Sequence, residues 1–230
     1  MEILIFLLLL LLGVALHWLL KLENERILRI GKEYVYLSLL IALTYWILSI
    51  PAIRSGTFYA YLKNLQTYSK YLSYVQIGFL TTHIATAINA NQGQVNMQIT
   101  EKIAWLTRWG TSIFLGSIFI IATIGKMQNF DGMYAFFKES GYAKWFLYFI
   151  MAAEALGGIG VLMHFKFKTG VWATYGLMLS MTGAILTHWH NGDPFSDSYP
   201  AAILLTTLVL LQINYRLEKL IANKMTLIIH

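Results

Sequence analysis

Long runs of apolar residues constrain the fold of this chain more than any other feature of its sequence. An α-helix needs about 20 mainly apolar residues to cross a bilayer, and six runs approach or reach that length. The runs are apolar throughout, whereas a membrane-spanning strand would alternate between apolar and polar residues. We therefore predict helices. The six predicted spans are residues 3–20, 36–52, 110–126, 145–163, 171–188 and 199–214.

The composition of the chain also indicates a membrane protein. Only 12% of the 230 residues are charged and 57% are hydrophobic, whereas a soluble domain carries roughly 25% charged residues. There is no cysteine, which excludes disulfides and thiolate metal ligands from this chain. The net charge of +6 is not concentrated in a basic block, so we expect no nucleic-acid partner.

Residues 71–90 are a weaker seventh candidate, because polar residues interrupt the run and the segment could instead lie on the membrane surface. With seven spans and an external N-terminus, eleven of the seventeen basic residues fall on one side, which the positive-inside rule assigns to the cytoplasm. A surface position for residues 71–90 would move the basic loop 21–35 to the other side. We therefore predict seven spans and a cytoplasmic C-terminus. The eleven basic residues are Lys21, Arg26, Arg29, Lys32, Lys102, Arg108, Lys166, Lys168, Arg216, Lys219 and Lys224.

The first run, residues 3–20, could also be a signal peptide. No basic segment precedes it, and no small-x-small cleavage pattern follows it. It is also longer than the usual hydrophobic region of about 7–15 residues. We expect a retained helix.

One carboxylate, Glu154, lies within the predicted span 145–163. It is about ten residues, or roughly 15 Å, from the outer end of that helix, which is near the middle of a hydrocarbon core about 30 Å thick. A carboxylate at that depth is costly unless it faces the helix bundle, is paired or is protonated. We expect Glu154 to face the interior and to be protonated. It then either joins helices by hydrogen bonding, or binds a ligand and handles protons.

The next span offers small residues that could receive Glu154. Gly176, Ser180 and Gly183 fall on one helical stripe, and small residues let neighbouring helices approach closely. We expect Glu154 to face this stripe. Lys126 ends the preceding span, and we expect Glu154 to lie too deep for a direct pair with it unless the intervening loop dips inward.

Polar residues follow the outer ends of the predicted spans. Lys126 either extends to the membrane surface or lines a polar vestibule with three other residues. His188 and His190 have poor spacing for two ligands on one helix face, and no third ligand is evident, so we expect no metal. The histidines lie at different predicted depths, so we also expect no bis-histidine heme and no other intrinsic cofactor. The other vestibule residues are Asp131, His188 and Asp193.

The segment 130–141, FDGMYAFFKESG, is predicted to be a short helix at the outer membrane interface, because its aromatic and charged residues suit that zone. Asp131 is the expected N-cap and Gly141 the expected C-terminal stop.

Three ordered motifs carry a family resemblance. They are GKMQNFDGMYAFFKESGY after the span 110–126, EALGGIGVL within the span 145–163, and GAILTHWHNGDP at the end of the span 171–188. With these motifs, residues 110–213 resemble the DoxX-like family of small four-helix membrane proteins. The residues at the family's Lys, Glu, Thr-His and Asp positions are Lys126, Glu154, Thr187, His188 and Asp193.

The resemblance and the predicted spans together give an architecture for the whole chain, which departs from the short family members by its N-terminal extension. Residues 109–216 would form a DoxX-like four-helix bundle in the bacterial cytoplasmic membrane. Residues 1–108 would be an N-terminal extension with three further spans, and residues 217–230 a cytoplasmic tail. The expected fold class is therefore an all-α integral membrane protein with seven spans. The three spans of the extension are residues 3–20, 36–52 and 71–90.

The resemblance also implies a redox-associated role, because relatives include the small subunit of a thiosulfate:quinone oxidoreductase and membrane partners of redox or detoxifying enzymes. We expect a membrane subunit that contacts a quinone or other lipophilic ligand near Glu154, with membrane lipids and a redox protein as partners. The alternatives are a non-enzymatic assembly subunit and, less favoured, a small transporter, and catalytic activity itself stays open. The expected ligand-binding residues are Lys126, Asp131, Ser180, Thr187, His188 and Asp193.

Overall fold

The computed structural model describes residues 7–15, 55, 71, 74–75, 77–85, 88, 97–163 and 169–229. These residues are helical apart from short turns, and no strand occurs among them. The predicted span 36–52 lies outside this part of the chain, as do parts of the spans 3–20 and 71–90. The count of seven spans therefore stays a prediction.

Five helices follow one another in the C-terminal part of the chain. Three of them contain a segment that is long and apolar enough to cross a membrane. These segments are Arg108–Gln128, Lys144–Leu162 and Phe195–Leu220. The five helices are α1 (Met97–Gln128), α2 (Phe130–Glu139), α3 (Lys144–Leu162), α4 (Thr169–Asn191) and α5 (Phe195–Ile229).

The four long helices form a closed bundle around one apolar core. α1 packs against α3, α3 against α4, α4 against α5, and α5 back against α1. We call the end of the bundle where α1 ends and α3 begins the Lys126 end, and the opposite end the Arg108 end. The core residues are Leu115, Phe119, Val161, Leu177, Met181, Leu208 and Leu211.

Two glycines set the distance between α1 and α3. A Cβ atom added to Gly116 would lie 2.8 Å from the carbonyl oxygen of Gly158, and one added to Gly158 would lie 3.0 Å from the carbonyl oxygen of Gly116. The two backbones are therefore in direct contact at this point, as small residues permit in membrane helices.

The predicted small-residue stripe on α4 is not part of this packing. A Cβ atom added to Gly176 or Gly183 would meet nothing within 4 Å, and both glycines are exposed. The side of α4 that faces the core instead carries Leu177 and Met181. The expectation that Glu154 faces the glycine stripe was therefore wrong, because the apolar side chains beside the stripe fill the core.

The segment after α1 forms the predicted short helix, α2. Asp131 lies in its first turn, and the N-cap is Asn129, whose carbonyl accepts the Met133 N–H at 3.0 Å. The N-cap prediction was therefore wrong, because the helix begins earlier than Asp131 and the carboxylate interacts with the helix dipole instead. The predicted stop is confirmed, since Gly141 has a φ of +83° and closes the C-terminal turn.

The N-terminal residues that the structure describes include helix within the predicted span 71–90. Leu80 and His83 are fully buried, and Tyr74 is almost so. The Tyr74 hydroxyl contacts the Tyr199 hydroxyl near the start of α5. This helix is thus tied to the bundle near its Lys126 end.

Candidate functional site

Glu154 faces the inside of the bundle. It lies on the buried side of α3, where buried residues recur every three or four positions. Only 3% of its side chain is exposed, so the expectation that it faces the interior is met. The buried residues of α3 are Leu147, Met151, Glu154, Gly158 and Val161.

The partner of Glu154 is Lys126, in the last turn of α1. The Lys126 ammonium donates a hydrogen bond to Glu154 Oε2 and forms an ion pair with it. The expectation that Glu154 lies too deep to meet Lys126 was therefore wrong. The reason for expecting a protonated Glu154 also falls, because that expectation assumed that no cation was present.

The meeting of the two side chains follows from helix register. Gly116 and Gly158 mark the same level of α1 and α3. Lys126 is ten positions from Gly116 and Glu154 is four positions from Gly158, both toward the Lys126 end. The backbone positions thus differ by 10 − 4 = 6 residues, or about 9 Å along the bundle.

Side-chain direction closes this axial gap. Side chains on a helix point toward the N-terminus of their own helix. Because α1 and α3 run in opposite directions, Lys126 leans toward the middle of the bundle and Glu154 leans toward the Lys126 end. A count of residues along each helix gives only the backbone positions, so it does not show that the two side chains approach each other.

The pair has unequal access to its surroundings. Lys126 is 24% exposed and Glu154 only 3%. An ammonium carries three N–H donors, and the structure assigns one of them to Glu154. Lys126 can therefore hydrogen-bond a further acceptor at the rim while it compensates the buried carboxylate. A lone charge in an apolar site is costly, and pairing lowers that cost.

A second polar cluster forms where α4 ends. His188 Nδ1 lies 2.7 Å from Asp193 Oδ2, across a turn in which Gly192 has a φ of +73°. The Asp193 N–H also bonds to the His188 carbonyl at 3.0 Å. His190 is exposed. Among the described residues, no three His, Asp or Glu side chains converge in a way that could hold a metal ion.

The α2 region is fastened to this cluster. The Tyr142 and Thr187 hydroxyls are 3.0 Å apart, and the Asn191 amide donates to Ser140 Oγ at 2.8 Å. The Phe136 ring also lies 5.2 Å from the His188 ring. No pattern in the sequence predicted the contacts of Ser140, Tyr142 and Asn191, because these contacts join distant segments.

The predicted ligand-binding residues therefore divide into groups. Lys126 meets Glu154, while Thr187, His188 and Asp193 belong to the α4 cluster. Asp131 is exposed on α2 and Ser180 is half-buried on α4. The described part of the chain shows no side-chain hydrogen bond from either residue to Glu154.

A further ion pair joins the helices at the Arg108 end. Arg108 and Glu218 lie 3.4 Å apart, and their side chains are only 13% and 15% exposed. The Arg108 guanidinium also lies 5.9 Å from the centre of the Tyr215 ring. The sequence analysis used Arg108 only to set orientation. The predicted span 110–126 begins at this level and the predicted span 199–214 ends there, so neither one includes Arg108 or Glu218.

The comparison with known families confirms the resemblance. Residues 111–211 match the family described as DoxX-like. The match begins near the start of the apolar segment of α1 and ends near the middle of α5. It includes both Lys126 and Glu154. The chain therefore carries a DoxX-like membrane region. No curated protein and no solved structure matches the chain.

Proposed function

We propose that this chain is a multi-pass subunit of a bacterial cytoplasmic membrane that serves a redox enzyme and binds a quinone, or a similar lipophilic carbonyl compound, at the Lys126–Glu154 pair. The observation that supports the proposal is the burial of this pair within the DoxX-like region. Ionisable pairs inside a membrane bundle commonly mark ligand or proton pathways.

The chemistry of the pair fits such a ligand. The partly exposed Lys126 ammonium has N–H donors for a carbonyl oxygen. The Glu154 carboxylate accepts one N–H from Lys126. It can take up a proton that enters from the membrane surface and pass it to the oxygen of the reduced ligand. A bound quinone would supply the redox chemistry, with its two electrons coming from the partner enzyme. This chain would bind, orient and exchange protons.

Glu154→Gln tests the proposal because it keeps the size and hydrogen-bonding capacity of the side chain and removes its ionisation. We expect normal abundance in the membrane, since the Lys126 ammonium reaches the rim. We also expect loss of co-purified quinone and loss of activity in the associated redox complex. Quinone is measured by mass spectrometry after native purification. The matched control is Glu139→Gln, because Glu139 is an exposed carboxylate on α2.

Full activity and retained quinone in Glu154→Gln would eliminate the proton-handling role. The second candidate function, a non-enzymatic assembly subunit, is supported by large exposed apolar side chains on α3 and α4. Trp172 is 77% exposed, Leu179 75% and Leu156 69%. A stoichiometric protein partner without quinone, unaffected by Glu154→Gln, would favour this candidate.

A further inference from the structure

Two cations at the Arg108 end of the bundle have no acidic partner among the residues that the structure describes. Arg216 and Lys219 lie three positions apart on α5, and both are exposed. Their neighbour Glu218 is directed to Arg108, 3.4 Å away. Within the part of the chain that the structure describes, this end of α5 therefore presents two positive charges that no carboxylate pairs with.

Aromatic residues hold these cations in place. Arg216 Nη2 donates a hydrogen bond to the Tyr175 hydroxyl on α4 at 2.7 Å. Lys219 Nζ lies 5.0 Å from the centre of the Tyr215 ring, within the range of a cation–π interaction. A guanidinium has five N–H donors in a planar fork, so Arg216 can bind Tyr175 and still present donors to an anion.

Exposed aromatic rings indicate that this level is a membrane interface. Trp172 lies one turn before Tyr175 on α4 and is 77% exposed, and the two rings are 6.3 Å apart. Trp105, on α1, is 42% exposed. Tryptophan and tyrosine concentrate where lipid headgroups meet the hydrocarbon core. The apolar run of α5 also ends here, because Arg216, Glu218 and Lys219 interrupt it.

We propose that Arg216 and Lys219, with Tyr175 as the positioning residue, bind the phosphate headgroup of an anionic phospholipid where α4 and α5 meet at the Arg108 end. Arginine suits this role because its fork matches phosphate oxygens. The lipid source follows from position, since the cations stand at the end of an apolar span beside interfacial aromatic rings. Basic pockets between membrane helices bind anionic headgroups in this way.

Native mass spectrometry of the full chain in detergent tests the proposal. The purified protein is titrated with phosphatidylglycerol, with phosphatidylcholine of the same acyl chains, and with inorganic phosphate. We expect phosphatidylglycerol to bind at least tenfold more tightly than phosphatidylcholine, and inorganic phosphate not to compete at equal concentration. A cation near an anionic headgroup contributes about fivefold in affinity. Arg216→Gln with Lys219→Gln should therefore weaken phosphatidylglycerol binding by roughly 25-fold.

The control is Lys138→Gln, which removes an exposed lysine from α2 at the other end of the bundle. It should leave lipid binding unchanged. Arg216→Lys keeps the charge and loses the planar fork of donors, so it should weaken phosphatidylglycerol binding. This conservative variant keeps the test usable if the double variant does not fold. Equal binding of the two lipids would overturn the proposal, as would unchanged binding in the Arg216 variants. Competition by inorganic phosphate would show a free-anion site instead of a lipid site, and would overturn it too.

Discussion

Lys126 and Glu154 stand 28 positions apart in the sequence and form an ion pair that ties the last turn of α1 to the middle of α3. The pair neutralises the carboxylate with a cation that reaches in from the rim. This arrangement explains how an apolar helix such as α3 can carry a carboxylate. The charge is tolerable because its counter-charge comes from the adjoining helix.

Lys126→Met should destabilise the protein, because it leaves the carboxylate buried without its cation. Removing one partner of a buried pair costs about 3–5 kcal/mol. We expect a clear fall in the melting temperature of the purified protein in detergent and lower abundance in the membrane. Lys138→Met is the control, since Lys138 is exposed on α2, and it should leave the melting temperature unchanged.

The double variant Lys126→Met with Glu154→Met should recover most of the lost stability. Two apolar side chains of similar volume replace the two charges, and such replacements are often neutral or stabilising. Thermal melting of both single variants and the double variant gives the coupling energy. Additive losses would show that the two side chains do not act as a pair.

Gly116→Ala should weaken the contact between α1 and α3. The added methyl group would lie 2.8 Å from a backbone oxygen of Gly158, so a backbone must shift, at a cost of about 1–3 kcal/mol. Gly176→Ala and Gly183→Ala are matched controls, because a methyl group there meets nothing within 4 Å. Both controls should be neutral or slightly stabilising in thermal melting. A larger loss in either control would mean that a partner helix covers the glycine face of α4.

The sequence was informative where a local pattern decides the structure. Apolar runs predicted the long helices, and the aromatic segment ending in Gly141 predicted α2 and its stop. The burial of Glu154 followed from the cost of a charge in hydrocarbon. Each of these rests on the properties of one segment.

The errors arose where two segments must be placed against each other. The depth of Lys126 was judged from residue counts. On two antiparallel helices, however, the side chains of Lys126 and Glu154 point toward each other along the bundle axis. The glycines at 176 and 183 matched a packing motif, but the sequence cannot show whether a small-residue face meets a helix or lipid. Gly116 and Gly158 carry the close contact instead.

His190→Ala should leave stability unchanged, while His188→Ala should produce a small loss. His188 contacts Asp193 and Phe136, whereas His190 is exposed. A surface pair contributes about 0–1 kcal/mol, so the expected shift for His188→Ala is small. Elemental analysis of the purified protein should detect no stoichiometric transition metal. A stoichiometric metal that is lost in either variant would contradict this prediction, because it would show that His188 or His190 is a metal ligand.

Cysteine labelling can determine the orientation of α5 because the chain contains no cysteine of its own. α5 has 35 residues, a length of about 52 Å, which exceeds a hydrocarbon core of about 30 Å. Ser196 and Asn223, near its two ends, are both exposed. They should therefore lie on opposite sides of the membrane.

The positive-inside rule assigns the Arg108 end to the cytoplasm. In intact cells, a membrane-impermeant maleimide should therefore label Ser196→Cys and not Asn223→Cys, and Asn223→Cys should react only after permeabilisation. The reverse pattern would place the basic end outside and reject the predicted orientation. Labelling of both residues in intact cells would mean that α5 does not cross the membrane, because both of its ends would then be accessible from outside.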